Sequence, residues 1–489
     1  MPLIGSAMQN FTGIAGAAFP WASEGRAQFS IFQLKEPPNE NEPTMSNKWK
    51  FNTGETTKVK LAVSDIDGIL RGKLISLEKF RSVAEKGFGF CDVIFGWDAS
   101  DVAYDNASIT GWHTGYPDAL AKVDFCTERQ IPWENGLPFF MADFDVEGSA
   151  AAEVCPRTLL KRVIQRATQQ GFSPVISMEF EWFNFIRQDN GAPLPPPSIT
   201  EGMFGYSLLR ASNKSGYFHA LFDQLNSFNI PIEGLHTETG PGVYEAAITY
   251  SNALEAADRA VLFKSSVKEI AHRHGYLASF MAKWNENLPG CSGHTHQSLW
   301  DENSARNLFY DGTKPNCISA LMQSYIAGQL HCLPHILPMY APTINSYKRL
   351  VEGAWAPTTL TWGIDNRTTA LRALPQGESS CRLENRVVGS DCNPYLAIAA
   401  CIASGLYGIE KGMKLQQPAT SGNSYAELSF GKLPANLWEA TQAMKRSEVT
   451  AELFGQTFVE HFCGTREWEW RQHAKAVTDW ELKRYLEII

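Results

Sequence analysis

The amino-acid sequence predicts an α+β protein: a small mixed domain followed by a larger one built on an antiparallel sheet with long helices. Three observations point this way. From Lys58 onward, apolar residues alternate with polar ones in short runs separated by turn-forming residues. After Pro156, strand-like runs are interspersed with long amphipathic stretches at helical spacing. One run, Ser177 to Phe183, is rich in aromatics and bounded by Gly171 to Pro174 upstream and by the loop Asp189 to Pro197 downstream, which marks a strand.

Residues 1–55 are Gly/Ala-rich, then polar with Pro37, Pro38 and Pro43, and read as a poorly ordered leader. No positive segment precedes the apolar patch Ile14 to Phe19, so a secretory signal is not expected, and Met45 is an alternative start. The small domain spans 56–152. Val59, Leu61 and Val63 form one arm of a hairpin, Asp65-Ile66-Asp67-Gly68 its turn, and Leu70 to Ile75 its return. Leu77 to Lys86 follows as a short helix, and Leu120 to Asp124 and Pro138 to Asp145 as strands. After the small-residue stretch Glu147 to Cys155, Pro156 sits near the first turn of a helix and opens the larger domain, 153–489. Its helices are expected at Tyr217 to Phe228, Asn252 to Gly275, Cys317 to Pro334 and Asn393 to Lys411. The end, Leu437 to Ile489, is helical, with Trp468, Trp470 and Trp480 as packing surface.

Composition bounds the function. The chain has 489 residues, enough for more than one core, and its net charge of −9 includes no basic cluster suited to nucleic acid. No apolar run approaches membrane-spanning length. The 10 cysteines are scattered and contain no C-x-x-C pair, which indicates reduced thiols and a cytoplasmic protein. No internal repeat, P-loop or Gly-x-Gly-x-x-Gly fingerprint is present, so any nucleotide is held in another way.

The chemistry gathers around Glu179 and Glu181. On a strand they share a face while Phe180 and Trp182 share the other. Adjacent carboxylates on a half-buried strand repel and resist desolvation, and a divalent cation such as magnesium or manganese removes that cost. Alone, such a pair more often marks the polar face of an amphipathic strand. Four further stretches change the balance. In His236-Thr237-Glu238-Thr239-Gly240-Pro241-Gly242-Val243-Tyr244-Glu245, the Gly-Pro-Gly turn lets Glu238 and Glu245 converge. In Gly293-His294-Thr295-His296-Gln297-Ser298-Leu299, two histidines share a strand face. The third stretch runs from Asn345-Ser346-Tyr347-Lys348-Arg349-Leu350 through Trp355-Ala356-Pro357 to Asn366-Arg367 and Arg372. The fourth is Arg382-Leu383-Glu384-Asn385-Arg386, leading to Asn393-Pro394-Tyr395. Its carboxylate is flanked by guanidiniums, and inward arginines need anionic partners such as phosphate or carboxylate.

In this order the motifs resemble the glutamine synthetase family over residues 58–489. The resemblance implies an N-terminal β-grasp domain, a catalytic domain with a funnel-shaped site, and homo-oligomers, usually dodecamers of two stacked hexameric rings with shared sites. It implies two or more Mg2+ or Mn2+ ions per site: Glu181, Glu238 and Glu245 for one, Glu179, His294 and Glu384 for a second that bridges the phosphates of ATP. It further implies that His296 and Arg372 contact phosphate, that Arg382 lies in the nucleotide pocket, and that Arg367 stabilises the phosphoryl group in transfer. Arg349 and Arg386 match positions that hold glutamate, and Gly290 is grouped with them as substrate-binding.

Departures from the pattern bear on the second substrate. Trp355 stands where ammonia-using members carry a flap glutamate. The N-terminal Asp-Gly-Ser-Ser segment is replaced by Phe95-Gly96-Trp97-Asp98-Ala99-Ser100-Asp101, where Asp98 is a candidate catalytic acid. Pro289 and Ser379 replace an expected asparagine and lysine. Loss of the ammonium-handling acids with retention of the metal ligands leads us to expect a γ-glutamylamide synthetase. Trp355 and Trp97 would line an apolar pocket for an alkyl or aromatic amine. Ammonia-dependent glutamine synthetase and a non-catalytic relative are the alternatives.

Overall fold

The alternation that begins at Lys58 becomes a six-stranded mixed sheet in the computed structural model, which describes residues 49–146, 148–188 and 194–489. Its elements are β1 (Lys58–Ser64), β2 (Leu70–Ser76), α1 (Leu77–Lys86), β3 (Phe88–Cys91), β4 (Asp118–Val123), β5 (Arg129–Ile131) and β6 (Leu137–Asp143). The strand order is β2-β1-β6-β4-β3 with β5 on β6, and only β1 and β6 run parallel. Ser76 caps α1 by accepting from the Lys79 amide at 3.2 Å, and Phe80, Val83 and Ala84 turn its buried face inward.

The expected leader, including Ile14 to Phe19 and Met45, lies outside the described residues up to position 48. Its last positions do not. Trp49 and Phe51 are buried against Phe80, with ring centroids 5.2 and 5.9 Å apart, and Glu128 accepts from the Phe51 amide at 2.8 Å. Two large aromatics outweigh the polar character around them, so Trp49 and Phe51 are packed ahead of the expected start at 56.

The second sheet is longer and almost wholly antiparallel. It follows α2 (Ala150–Val154) and α3 (Pro156–Gln169) and comprises β7 (Phe172–Ile186), then, after α4 (Leu208–Asn213) and α5 (Ser215–Ser227), β8 (Ile232–Thr237), β9 (Val243–Ile248) and β10 (Ser251–Asn252). The long α6 (Ala253–Arg273) leads to β11 (Tyr276–Ser279) and β12 (Gly293–Asp301). Two helices, α7 (Ala320–Tyr340) and α8 (Ser346–Arg349), precede β13 (Trp362–Ile364), β14 (Leu371–Leu374) and β15 (Arg382–Asn385). The order is β13-β14-β15-β12-β7-β9-β8, with β10 and β11 also on β7. The chain closes with α9 (Pro394–Glu410), α10 (Leu437–Lys445), α11 (Glu448–Phe454), α12 (Gln456–Lys475) and α13 (Asp479–Tyr485).

Two expectations at the helices need correction. The helix expected to stop at Pro334 instead runs from Ala320 through Pro334 and Pro338 to Tyr340. Its flank is pressed on α9, where Gly328 meets the backbone of Ser404 and Gly408 so closely that a Cβ would collide. That burial overrides the local cost of proline. Trp468 is buried as expected, but Trp480 is 59% exposed and belongs to no core cluster among the described residues.

The two sheets lie on either side of the expected boundary at 152/153, yet one core runs through both, joining Ala62 and Met141 to Phe180 and Ile398. A buried ion network reinforces the join. Arg157 on α3 donates to both oxygens of Asp258 on α6 at 2.9 and 2.8 Å, to Asp124 at 2.7 Å, and to Asp143. Among the described residues no helix is long and apolar enough to cross a membrane. Replacing Arg157 by methionine removes the guanidinium that three carboxylates share, and should lower unfolding stability by about 3–5 kcal/mol in denaturant titration, with a loss near zero contradicting this role.

Candidate active site

The open face of the second sheet carries a continuous line of polar side chains. On β7, Phe180 and Trp182 are fully buried against Phe263 and Phe280, which leaves Glu179 and Glu181 on the opposite face. Cross-strand register extends the line both ways. His294 on β12 lies opposite Glu179, Glu245 on β9 opposite Glu181, and His236 on β8 opposite Glu245. On the other flank, His296 lies opposite Glu384, and Glu384 opposite Arg372. Directly opposed residues share a face, so all of them look into one groove.

Glu238 joins from the turn after β8. Gly240 and Gly242 adopt positive φ of 137° and 68° there, and the Glu238 amide donates to the Val243 carbonyl at 2.9 Å. The His236 ring lies between the two turn acids, with Nε2 3.3 Å from Glu245 and Nδ1 3.8 Å from Glu238. His294 stands 3.9 Å from both Glu181 and Glu384, and His296 is 3.6 Å from Glu179. Glu181 is fixed by the Ser292 amide, which donates to it at 2.7 Å. Thus the six expected metal ligands fall in one strip.

Electrostatics expose what the strip lacks. Burial, then the charges of Glu179 and Glu181, push Glu245 up to about 11, so it keeps a proton among its neighbours. Burial also raises Glu181. For Glu179 burial acts upward, but the hydrogen bond and charge of His296 hold it below the usual carboxylate range. Glu384 is held down at about 2, since Arg386 and the two histidines overcome its burial. His294 is kept neutral by burial and then by Arg386, and its Nδ1 has no hydrogen-bond partner, as is true of one oxygen of Glu238. Carboxylates sharing a proton, beside an orphaned oxygen and an orphaned imidazole nitrogen, form a donor set suited to a hard or borderline divalent cation. Among the described residues no three such groups are already closed around a single point, so the fit lies in donor chemistry and proximity.

The arginines line the other half. Arg372 donates to Glu384 at 2.8 Å and to Asp365 at 3.0 Å, and Arg386 donates to Glu384 and, at 2.9 Å, to the Arg367 carbonyl. The Arg367 side chain itself is exposed. Arg349 is only 2% exposed; it donates to Ser292 Oγ at 3.1 Å and to the Val387 carbonyl, while its Nε is unpartnered. Gly290 is required beside it, because a Cβ there would meet Arg349 Cγ at 2.6 Å. Arg382 donates to His296 at 3.2 Å, and both line a cavity of about 350 Å3 with Ser177, Glu179, Tyr250 and Ser379.

The residues expected to handle the amine fare differently. Asp98 is occupied structurally: Oδ1 accepts from the Ser100 and Val102 amides at 2.9 and 3.0 Å, and Oδ2 from the Trp468 indole at 2.9 Å. This carboxylate ties the first sheet's domain to α12. Trp97 lies under Arg71, 5.2 Å from its centroid. Trp355 stands 61% exposed in the segment after α8, with φ of 60°.

A family description, "Glutamine synthetase, catalytic domain", matches residues 153–485. The chain belongs to the glutamine synthetase family. It is 52% identical over 440 residues to Type-1 glutamine synthetase 2 of Dictyostelium discoideum, covering 88% of this chain and 84% of that one. It is 36% identical over 441 residues to glutamate–isopropylamine ligase of a Pseudomonas species, covering 88% and 95%. A gamma-glutamylethanolamide synthetase of Streptomyces coelicolor is 34% identical, covering 89% and 93%. A solved GmaS/ADP complex superimposes with a TM-score of 0.77 at 28% identity, covering 88% of this chain and 97% of that one. Membership of the glutamine synthetase family makes the chain a carboxylate–amine ligase, and this family uses ATP and divalent metals.

His236 and Ser292 take part in the strip without having been assigned a role from sequence. The signal for His236 was present: it stands two residues before Glu238, as Glu179 stands two before Glu181. Glu245 also sets a pH dependence. Its folded-state proton affinity exceeds that of the unfolded chain, so without cation the folded form binds the extra proton above the ordinary carboxylate range, and stability falls as pH rises. Melting temperature should therefore decline between pH 6 and 9 in chelator. Added magnesium or manganese should raise it and flatten the slope; an unchanged melting curve would contradict a cation site here.

Proposed function

We propose that the chain joins the γ-carboxylate of glutamate to an organic amine with an apolar body, using ATP and passing through γ-glutamyl phosphate. A carboxylate is a poor acyl donor, and phosphorylation turns it into a good one. Two Mg2+ or Mn2+ ions, one held by Glu181, Glu238 and Glu245 and the other by Glu179, His294 and Glu384, would supply charge neutralisation for the phosphoryl group. Arg349 and Arg386 hold the substrate carboxylates, and Arg382 and His296 orient the nucleotide in the cavity they share. Arg372 and Arg367 offset negative charge as the phosphoryl group crosses. The γ-carboxylate oxygen forms a bond to the γ-phosphorus of ATP and ADP leaves. The amine nitrogen then attacks the acyl carbon, phosphate departs with the electron pair of the C–O bond, and the amine loses a proton.

The observation that carries the choice of amine is Trp355. Where an acid would attract and deprotonate ammonium, the flap presents an exposed indole that offers only apolar and π contact. Trp97 would reach the same pocket from the N-terminal domain of a neighbouring subunit in a ring assembly, two stacked hexamers being the form expected. The names of the relatives at 36% and 34% identity favour this reading. The second reading, ammonia-dependent glutamine synthesis, is favoured by the name of the relative at 52%.

Phosphate release from ATP and glutamate separates the two. Isopropylamine, benzylamine or a similar amine should support turnover at least about tenfold above ammonium in kcat/KM, and Trp355→Glu should shift that ratio toward ammonium. Equal or better use of ammonium by the unaltered protein would favour the second reading.

A further inference from the structure

A second cavity, of about 1140 Å3, lies on the α6 side of the catalytic sheet, behind the face that carries the acids. One wall is α6, where Lys264, Lys268 and His272 recur at intervals of four and so stand one turn apart along one side. The floor is apolar: Phe280 is buried, and the Nζ atoms of Lys264 and Lys268 stand 5.7 and 5.8 Å from its ring centroid. Val261 and Ile69, the latter from the β1–β2 turn, add to the apolar lining.

The charges of this cavity do not balance. Among the described residues neither Lys264 nor Lys268 has a carboxylate within ion-pair distance; Lys264 donates only to the Cys392 carbonyl, at 2.7 Å. Two acids border the space: Asp67 is taken up by Arg466, while Asp391, bonded through one oxygen, has its charge within reach of Lys264 and leaves Lys268 without an acid of its own. Asp67 accepts from Arg466 at 2.6 Å, and Asp391 accepts from Thr343 at 2.8 Å and from Ser346. His272 is itself met by a cation, with Arg187 at 2.8 Å from its ring nitrogen. Burial and then the charge of Lys264 draw Lys268 down to about 8. An ammonium group with no acid beside it, such as that of Lys268 over the aromatic floor, is costly in the empty cavity and favourable around an anion.

We propose that this cavity is a binding site for a small amphipathic carboxylate, its head between Lys264 and Lys268 and its apolar body on Phe280, Val261 and Ile69. A single negative charge fits better than a phosphate dianion, because one lysine already spends a hydrogen bond on the Cys392 carbonyl and two acids border the space. The site is separate from the polar strip and adjoins it through Asp391, which is bonded to Ser346 at the start of the helix bearing Arg349.

Calorimetry on the full-length assembly tests this, with glutamate and ADP present to fill the catalytic groove. Phenylacetate should bind once per chain, with phenylacetamide and inorganic phosphate at least about tenfold weaker. Lys268→Met should weaken phenylacetate by at least about tenfold without altering the melting temperature or the size of the assembly, while Lys264→Arg retains binding. The proposal is overturned if phenylacetate binds no better than its amide, or if K268M binds like the unaltered protein. It is also overturned if K268M changes the size of the assembly, which would make this face a contact between copies.

Discussion

Crowding of like charges on one face of a sheet is the constraint around which this protein is arranged. Glu179, Glu181, Glu238 and Glu245 converge where burial makes every uncompensated charge expensive, and the fold answers with a shared proton, a histidine on each side and the Ser292 amide. None of these fully satisfies the donors. The arginine half of the groove shows the complementary condition, with Glu384 clamped between Arg372 and Arg386 so that cationic side chains can be held at the floor. An acidic half next to a basic half suits a reaction in which a phosphoryl group passes from a nucleotide to a carboxylate.

Much of this was legible in the sequence because a strand has period two. Glu179 with Glu181, and His294 with His296, declare a shared face without any knowledge of partners. What the sequence could not supply was register. That Glu245 lies opposite Glu181, or that His296 lies opposite Glu384, follows from pairings between strands far apart in the chain. The same limit applies to Asp98, whose indole partner comes from a helix 370 positions away. The two prolines of α7 failed as a stop signal for a related reason, since tertiary packing on α9 decides that helix.

Packing behind the groove is what keeps it open. The aromatics on the inner face of β7 stack on Phe263 and Phe280, and one core continues into the N-terminal sheet, where Arg157 collects aspartates from both parts of the chain. The site therefore sits on a rigid plate, while Trp355 and Arg367 project from connecting segments at its edge. Side chains on such connecting segments can change without disturbing the sheet beneath them.

The fifteen-residue length of β7 has a consequence of its own. Because this strand is stitched to β9 on one flank and β12 on the other, deleting a single residue near its centre would exchange its two faces, turning tryptophan and phenylalanine into the groove and driving glutamates into oil. Point changes at the rim are evolutionary small change; a frame-preserving loss of one codon here would erase the ligand geometry and the core together.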